Sequence, residues 1–256
     1  MPFSDLKYLK EVRLGSRSVY ICDSHNYVLE AWLEYSKPRS GVEFRIPPVL
    51  ITLDAHTDTR RAFTLSACNE IEDDIPDEQQ VDLHGRPMIE SLRRFEKEFI
   101  QKLAHDEHIH AAYLTCSISE CFILFSGSND AGLKWDWSKT LKLAIPFDET
   151  YEKTFRDAQD RIIESDILIR WIHSIESFYG QVLEEIDYIL DLDLDFFRTR
   201  KSVKPGNPEQ FLRLVRNASL ITIAREPECV ASGCLEGEKL TSDYVWKNVS
   251  KLITEA

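Results

Sequence analysis

Residues 49–61 read VLITLDAHTDTRR. Positions 49–53 are aliphatic apart from Thr52, as suits a strand covered on both faces. The run stops at Asp54, and His56 and Asp58 follow at two-residue spacing. In extended backbone that spacing puts all three side chains on one side of the chain. The stretch therefore predicts a buried strand that ends in metal-binding side chains.

Working outward, further strands are expected at 18–25 (SVYICDSH), 141–147 (LKLAIPF), 187–197 (DYILDLDLDFF) and 219–227 (SLITIAREP). Helical periodicity marks 25–37, 87–106 with Pro87 in its first turn, about 107–117, 149–164, 172–186 and 207–218. A closing helix is expected within 238–256. Strands alternating with helices predict an α/β fold with a mainly parallel sheet, and the chain reads as one domain, 1–256. The least regular part is 59–86, which contains ACNEIEDDIPDEQQVD at 67–82. It is acidic and too long for an ordinary connection, so it reads as a functional or disordered loop.

Composition narrows the chemistry. The net charge is −13, from 44 acidic and 31 basic residues, which disfavours a nucleic-acid partner and favours either simple solubility, as a solvated acidic surface, or a cationic ligand. Nine glycines occur, none in a dinucleotide or Walker loop, so nucleotide chemistry is not expected. Six cysteines without a C-x-x-C pair give no thiolate cluster for zinc or iron–sulfur, and they read as idle thiols. No segment suits a bilayer span, and the N-terminus lacks the apolar core of a signal peptide, so a cytoplasmic location is expected and no membrane partner.

Four acidic or histidine-bearing spots lie at predicted strand ends: Asp23/His25, Asp54/His56/Asp58, Asp191/Asp193/Asp195 and Glu226/Glu228. Ligands of open α/β sheets sit at the carboxyl ends of strands, so these spots are expected to converge. In DLDLD, Asp191, Asp193 and Asp195 alternate with Leu190, Leu192 and Leu194. Three carboxylates in a row on a buried strand repel one another and lose hydration unless water or cations neutralise them. Carboxylates with two imidazoles suit manganese, with zinc or iron as substitutes. A pair of metals sharing carboxylates activates water against an unreactive carbon.

These motifs resemble those of the arginase/agmatinase superfamily. LDAHTD resembles its D-A-H-x-D, and DLDLD is similar to its S-x-D-x-D with Asp191 in the serine place. CDSH resembles the G-G-D-H element without its glycines, and DLHGRP (82–87) is similar to the L-H-G-x-P of true arginases. The matches are short motifs spread over residues 23–226. The resemblance implies a three-layer α/β/α arginase-like fold holding two Mn²⁺. His25, Asp54, Asp58 and Asp193 would hold one ion, and Asp54, His56, Asp193 and Asp195 the other. Asp191 would replace one of the later pair if the register were shifted by two. Asp195 and Glu226 would orient the substrate, with Glu228 as the rival of Glu226 for the guanidinium, and His84 would relay a proton to the leaving amine.

The segment Thr59–Leu83 departs from the free-arginine enzymes. It is longer and acidic, and it lacks the hydroxyl-rich string that binds the amino acid's α-groups. In this it is similar to the peptide arginases, which convert arginine in a ribosomally made precursor peptide to ornithine and release urea. DSHN, DAHTD and DLDLDFF resemble that branch. The implied partner is an arginine-containing precursor peptide, and a homo-oligomer is compatible with it. Other readings left open are a ureohydrolase of free arginine, agmatine or formiminoglutamate, a metal-dependent amide deacetylase, and a non-enzymatic acidic pocket for cationic peptides.

Overall fold

The computed structural model describes residues 8–37, 46–64, 66, 77–127, 134–142 and 151–256, with only the backbone of 77–84 and 151. Strands β1 (Lys10–Leu14) and β2 (Arg17–Cys22) form a hairpin turned by Gly15, whose φ of 57° suits a residue without a Cβ. Helix α1 (Val28–Ser36) leads to β3 (Val49–Asp54), then α2 (Asp77–Arg93), α3 (His108–Leu114), β4 (Cys121–Phe125) and β5 (Ser138–Lys142). Helices α4 (Tyr151–Asp160) and α5 (Ser165–Tyr179) precede β6 (Tyr188–Asp193) and α6 (Glu209–Asn217). Strand β7 (Leu220–Ala224), α7 (Pro227–Gly233) and α8 (Ser242–Glu255) complete the described elements.

All seven strands form one sheet in the order β1-β2-β7-β6-β3-β4-β5, with only β1 antiparallel. The expected α/β class with a mainly parallel sheet is present. Every residue of β3, β4 and β6 is buried, because helices cover both faces. Val49, Ile51, Leu53, Leu190 and Leu192 pack against α5, α6 and α8 on one face. Leu50, Ile123 and Ile189 pack against α1, α2 and α3 on the other. The parallel order aligns the carboxyl ends of β2, β7, β6 and β3 on one edge of the sheet, where the four charged spots lie. No helix among the described residues is long and apolar enough to cross a membrane.

Several boundaries differ from expectation. The helix expected at 87–106 spans Asp77–Arg93, so Pro87 lies inside it rather than in its first turn. It stops at Phe95, which takes φ 62° while the Phe95 and Glu96 amides return to Leu92 and Ser91. That is a Schellman-type ending built without glycine, and so without its usual sequence signal. A 3-10 segment, Lys97–Lys102, replaces the remainder. The strand expected at 141–147 is Ser138–Lys142 among the described residues, and 143–147 lie outside them. The helices expected at 149–164 and 172–186 end or begin earlier, at Asp160 and Ser165. Strands β1 and β4 were not expected. CFILF is at the short limit for a strand and carries no period to separate it from helix.

Candidate metal centre

Each charged residue is set by a local device. After β2 the chain bends at Asp23 and Ser24 into a 3-10 turn, His25–Tyr27, which the buried Asn26 anchors by donating to the Ile100 carbonyl at 2.9 Å. At the end of β3, Asp54 Oδ1 accepts the His56 amide at 2.6 Å and turns the chain. Asp58 follows in the left-handed region, φ 46°. Gly127 passes beneath this turn so closely that a Cβ would lie 2.2 Å from the Ala55 carbonyl oxygen. Only glycine fits there.

DLDLD does not continue as a straight strand. Asp193 Oδ1 accepts the Asp195 amide at 3.1 Å, and the chain enters a 3-10 turn over Leu194–Phe196. Asp195 thus leaves the line of Asp191 and Asp193 and crosses to the Asp54 turn, where its Oδ1 accepts the Ala55 amide at 3.3 Å. This corrects the expectation of three carboxylates on one strand face.

The result is a buried cluster. His25 Nδ1 lies 3.0 Å from Asp58 Oδ2, 3.2 Å from Asp193 Oδ2 and 3.8 Å from Asp54 Oδ2. His56 Nδ1 lies 2.9 Å from Asp195 Oδ2 and 3.8 Å from Asp54 Oδ1. His25, Asp54, Asp58, Asp193 and Asp195 are all buried, whereas the His56 side chain is 56% exposed. His25 therefore meets Asp54, Asp58 and Asp193, and His56 meets Asp54 and Asp195, so Asp54 touches both histidines while the Asp193 contact is to His25.

Asp191 stands elsewhere. It lies behind the His25 ring, its Oδ2 2.7 Å from Nε2, and takes further hydrogen bonds from Thr52 Oγ1 at 3.0 Å and Thr222 Oγ1 at 2.6 Å. Thr52 and Thr222 are its direct partners on β3 and β7. With its oxygens engaged by the ring and two hydroxyls, Asp191 orients His25 rather than facing the cluster, so the shifted-register alternative is not what the fold builds. Asp23 also stays out, paired with Arg225 at 3.3 Å.

The electrostatics suit a bound cation. Burial, followed by the neighbouring carboxylates, pushes Asp54 and Asp193 well above the ordinary carboxylate range. Burial opposes a charged His25, but Asp191 and Asp193 outweigh it and hold the ring protonated well above the usual imidazole range. The Asp195 contact raises His56 to about 9. Yet His25 Nδ1, Asp54 Oδ2 and Asp195 Oδ2 have no hydrogen-bond partner of acceptable geometry among the described residues. Lone pairs crowded within 4 Å, but not aimed at one another's hydrogens, suit a common central ion. The carboxylates of Asp54, Asp58, Asp193 and Asp195 with two imidazoles are a donor set that a divalent metal such as Mn²⁺ suits.

Neither family models nor curated proteins give a match to this chain. What the site can do therefore rests on its own geometry.

Glu226 closes one side of the cluster. Its amide donates to the Asp23 carbonyl at 3.0 Å, extending the β2–β7 pairing, and its backbone is left-handed at φ 33°. Such strain in a residue other than glycine aims a side chain that the surroundings hold in place. Oε1 accepts the His25 amide at 3.0 Å, and Oε2 lies 3.6 Å from His105 Nδ1. Glu228 is exposed on α7, so Glu226 is the acid at this edge. Burial pushes Glu226 up, but the His105 ion pair and His25 outweigh it and leave the carboxyl at about 2. His105 is raised to about 9 by the same contact.

His105 and His108 were not anticipated. His108 is buried, with its Nδ1 2.7 Å from the His105 carbonyl and its ring centroid 4.2 Å from that of His25. Burial, then the charge on His25, lowers it to about 3, so the ring is neutral, and its Nδ1 lies 3.9 Å from Asp58 Oδ2, close enough to join His25 and Asp58 around an ion. The only hint was the density of histidine in HDEHIH (105–110). His84 lies in α2, but its side chain is outside the described residues, as is most of the acidic segment within 65–76.

The His105 contact makes a prediction. His105→Gln should let the Glu226 carboxyl rise toward ordinary carboxylate values, because the opposing cation is gone. The midpoint of the Glu226 carboxyl titration, followed by carbon NMR, should then move to higher pH, with metal content unchanged. An unmoved midpoint would show that His105 does not set the ionisation of Glu226.

Proposed function

We propose that this chain is an arginase-like dimetal hydrolase that converts arginine residues of a peptide to ornithine with release of urea. The observation that carries the reading is the buried meeting of His25 Nδ1 with Asp54, Asp58 and Asp193, beside His56 and Asp195, with ligand atoms left unpaired. His25, Asp54, Asp58 and Asp193 would hold one Mn²⁺, and Asp54, His56, Asp193 and Asp195 the second. When bound, such a pair supplies Lewis-acid activation of water.

The chain's own residues do the rest. Glu226, held ionised beside His105, presents a carboxylate to the planar fork of a guanidinium. Asp191 fixes the ring of His25, so that Nδ1 faces the cluster. Gly127 lets β4 close against the Asp54 turn and shut out water from beneath. His84 is assigned the proton given to the leaving amine, on the likeness of DLHGRP to L-H-G-x-P alone.

The peptide substrate rests on segment 59–83, which lacks the groups that would hold free α-carboxylate and α-amine. An internal arginine has neither group, and anchors buried without partners would cost about 1–3 kcal/mol each. Urea release from an internal arginine should exceed that from free arginine by at least about tenfold in kcat/KM, or 1.4 kcal/mol. Assays on arginine, agmatine and an arginine peptide with Mn²⁺-loaded protein check this. If free arginine proves the better substrate, the chain is an ordinary arginase with an insertion.

A further inference from the structure

Beside the candidate centre lies a second concavity, of about 470 Å³, lined in part by Arg61, Arg86, Arg93, Glu90, His110 and Trp135. It shares the Asp58–Phe63 loop with the cluster. Trp135 Nε1 donates to the Thr59 carbonyl at 2.9 Å, and His110 Nδ1 accepts the Ala62 amide at 2.9 Å. His110 and Trp135 stack at 4.6 Å with 10° between planes, forming one flat wall. The pocket is thus pinned to the segment that carries Asp58.

Its charge runs against that of the chain. Among the described residues, three arginines and one glutamate line the cavity, in a protein whose net charge is −13. Arg93 is engaged, 2.6 Å from Glu90 Oε1 and 2.6 Å from the Leu114 carbonyl. Arg61 and Arg86 have no hydrogen bond or ion pair from their side chains among the described residues, and Arg61 rests 5.9 Å from the Trp135 ring centre. Carboxylates outnumber cations in this chain, yet among the described residues these two cations at one concave site face no acid of their own. A guanidinium half sheltered against an aromatic face is a pre-ordered fork for a planar anion, and shelter from water strengthens the attraction.

We infer that this pocket binds a carboxylate of the peptide substrate, positioned by Arg61 and Arg86, a short stretch of chain away from the arginine in the centre. The inference takes its ligand from the peptide reading above. It adds a requirement that an acidic cluster alone does not impose: the peptide carries a negative charge near its target arginine. An acidic side chain and the chain terminus present the same carboxylate, so the test separates them.

The probe is an acetylated, amidated peptide with Lys in the arginine position, which has no guanidine to hydrolyse, and one Glu. Its companions are the same peptide with Gln, and the Gln peptide ending in a free carboxylate. Titration calorimetry on the full chain should show the Glu peptide binding at least about tenfold tighter than the Gln peptide. A free C-terminus that restores the gain identifies the terminal carboxylate as a source; one that does not assigns the site to acidic side chains. The double substitution Arg61→Gln and Arg86→Gln should bring the Glu-to-Gln ratio close to one without moving Tm. Equal affinity of the Glu and Gln peptides, or a ratio that survives the double substitution, would overturn the inference. So would inorganic phosphate binding where the Glu peptide does not. Urea release is scored separately: its absence with the ratio intact would sink the hydrolase reading and leave the pocket standing.

Discussion

Asp54→Ala should abolish urea release, by at least about a thousandfold, and remove bound Mn²⁺ rather than merely slow turnover. Asp54 faces both His25 and His56, so its loss removes a ligand atom from both sides of the cluster at once, and the metal pair these residues would hold would lose its activation of water. The same residue makes an opposite prediction for stability. Asp54 is fully buried among carboxylates, and in chelated protein burial and those neighbours make its ionised form costly. Asp54→Asn in excess chelator should therefore be more stable than the parent, by about 1–4 kcal/mol.

The pH dependence follows from the direction of the shifts. Asp54 and Asp193 hold their protons more tightly folded than unfolded. Their contribution to the chelated fold is present below the ordinary carboxylate pKa and fades as pH rises through the raised values. Mn²⁺ should reverse that slope, since ligands must be deprotonated to bind it. Metal analysis and melting curves at several pH values, with and without chelator, check each step. A chelated sample with full activity, or an Asn variant that melts lower than the parent in chelator, would defeat the argument.

How much of this could be read beforehand depends on which interactions are local. The runs VLITL and YIL are apolar because helices cover both faces of β3 and β6, and that continuity is written in sequence. A parallel order then brings the carboxyl ends of the strands to one edge, so the sequence alone points Asp54, Asp193 and His25 to the same place. The role of Asp191 could not. Period-two alternation treats Asp191, Asp193 and Asp195 alike, and three tertiary contacts and one local turn decide otherwise. His25 approaches from β2, Thr52 and Thr222 flank Asp191 across the sheet, and the Asp193 side chain ends the strand before Asp195. His105 and His108 were equally opaque, because their place depends on how the start of α3 packs against the His25 turn. Phe95 ends α2 in a conformation usually left to glycine, so no residue type announced it.

Asp191→Ala should be the most damaging change outside the ligands themselves. The carboxylate is wholly buried and accepts from two threonine hydroxyls and the His25 ring, while Thr222 in turn accepts Trp32 Nε1 at 3.1 Å. Burial alone would favour the protonated acid, but His25 outweighs it and holds Asp191 below the ordinary carboxylate value. Removing one member of such a buried, charged network leaves the others unpaired, at about 3–5 kcal/mol. For a chain of this size that is a fall in Tm of roughly 10 °C. Mn²⁺ affinity should drop by about 10–100-fold as well, because a ring that is no longer held can turn Nδ1 away. Asp191→Asn separates the two effects. Its amide oxygen can still accept from His25 and Thr52, so much of the stability should return. The negative charge that strengthens His25 as a donor to metal is gone, so affinity should stay below that of the parent. If Asp191→Ala instead kept both Tm and Mn²⁺ affinity, His25 would not need its carboxylate, and Asp191 would be a buried charge without a task.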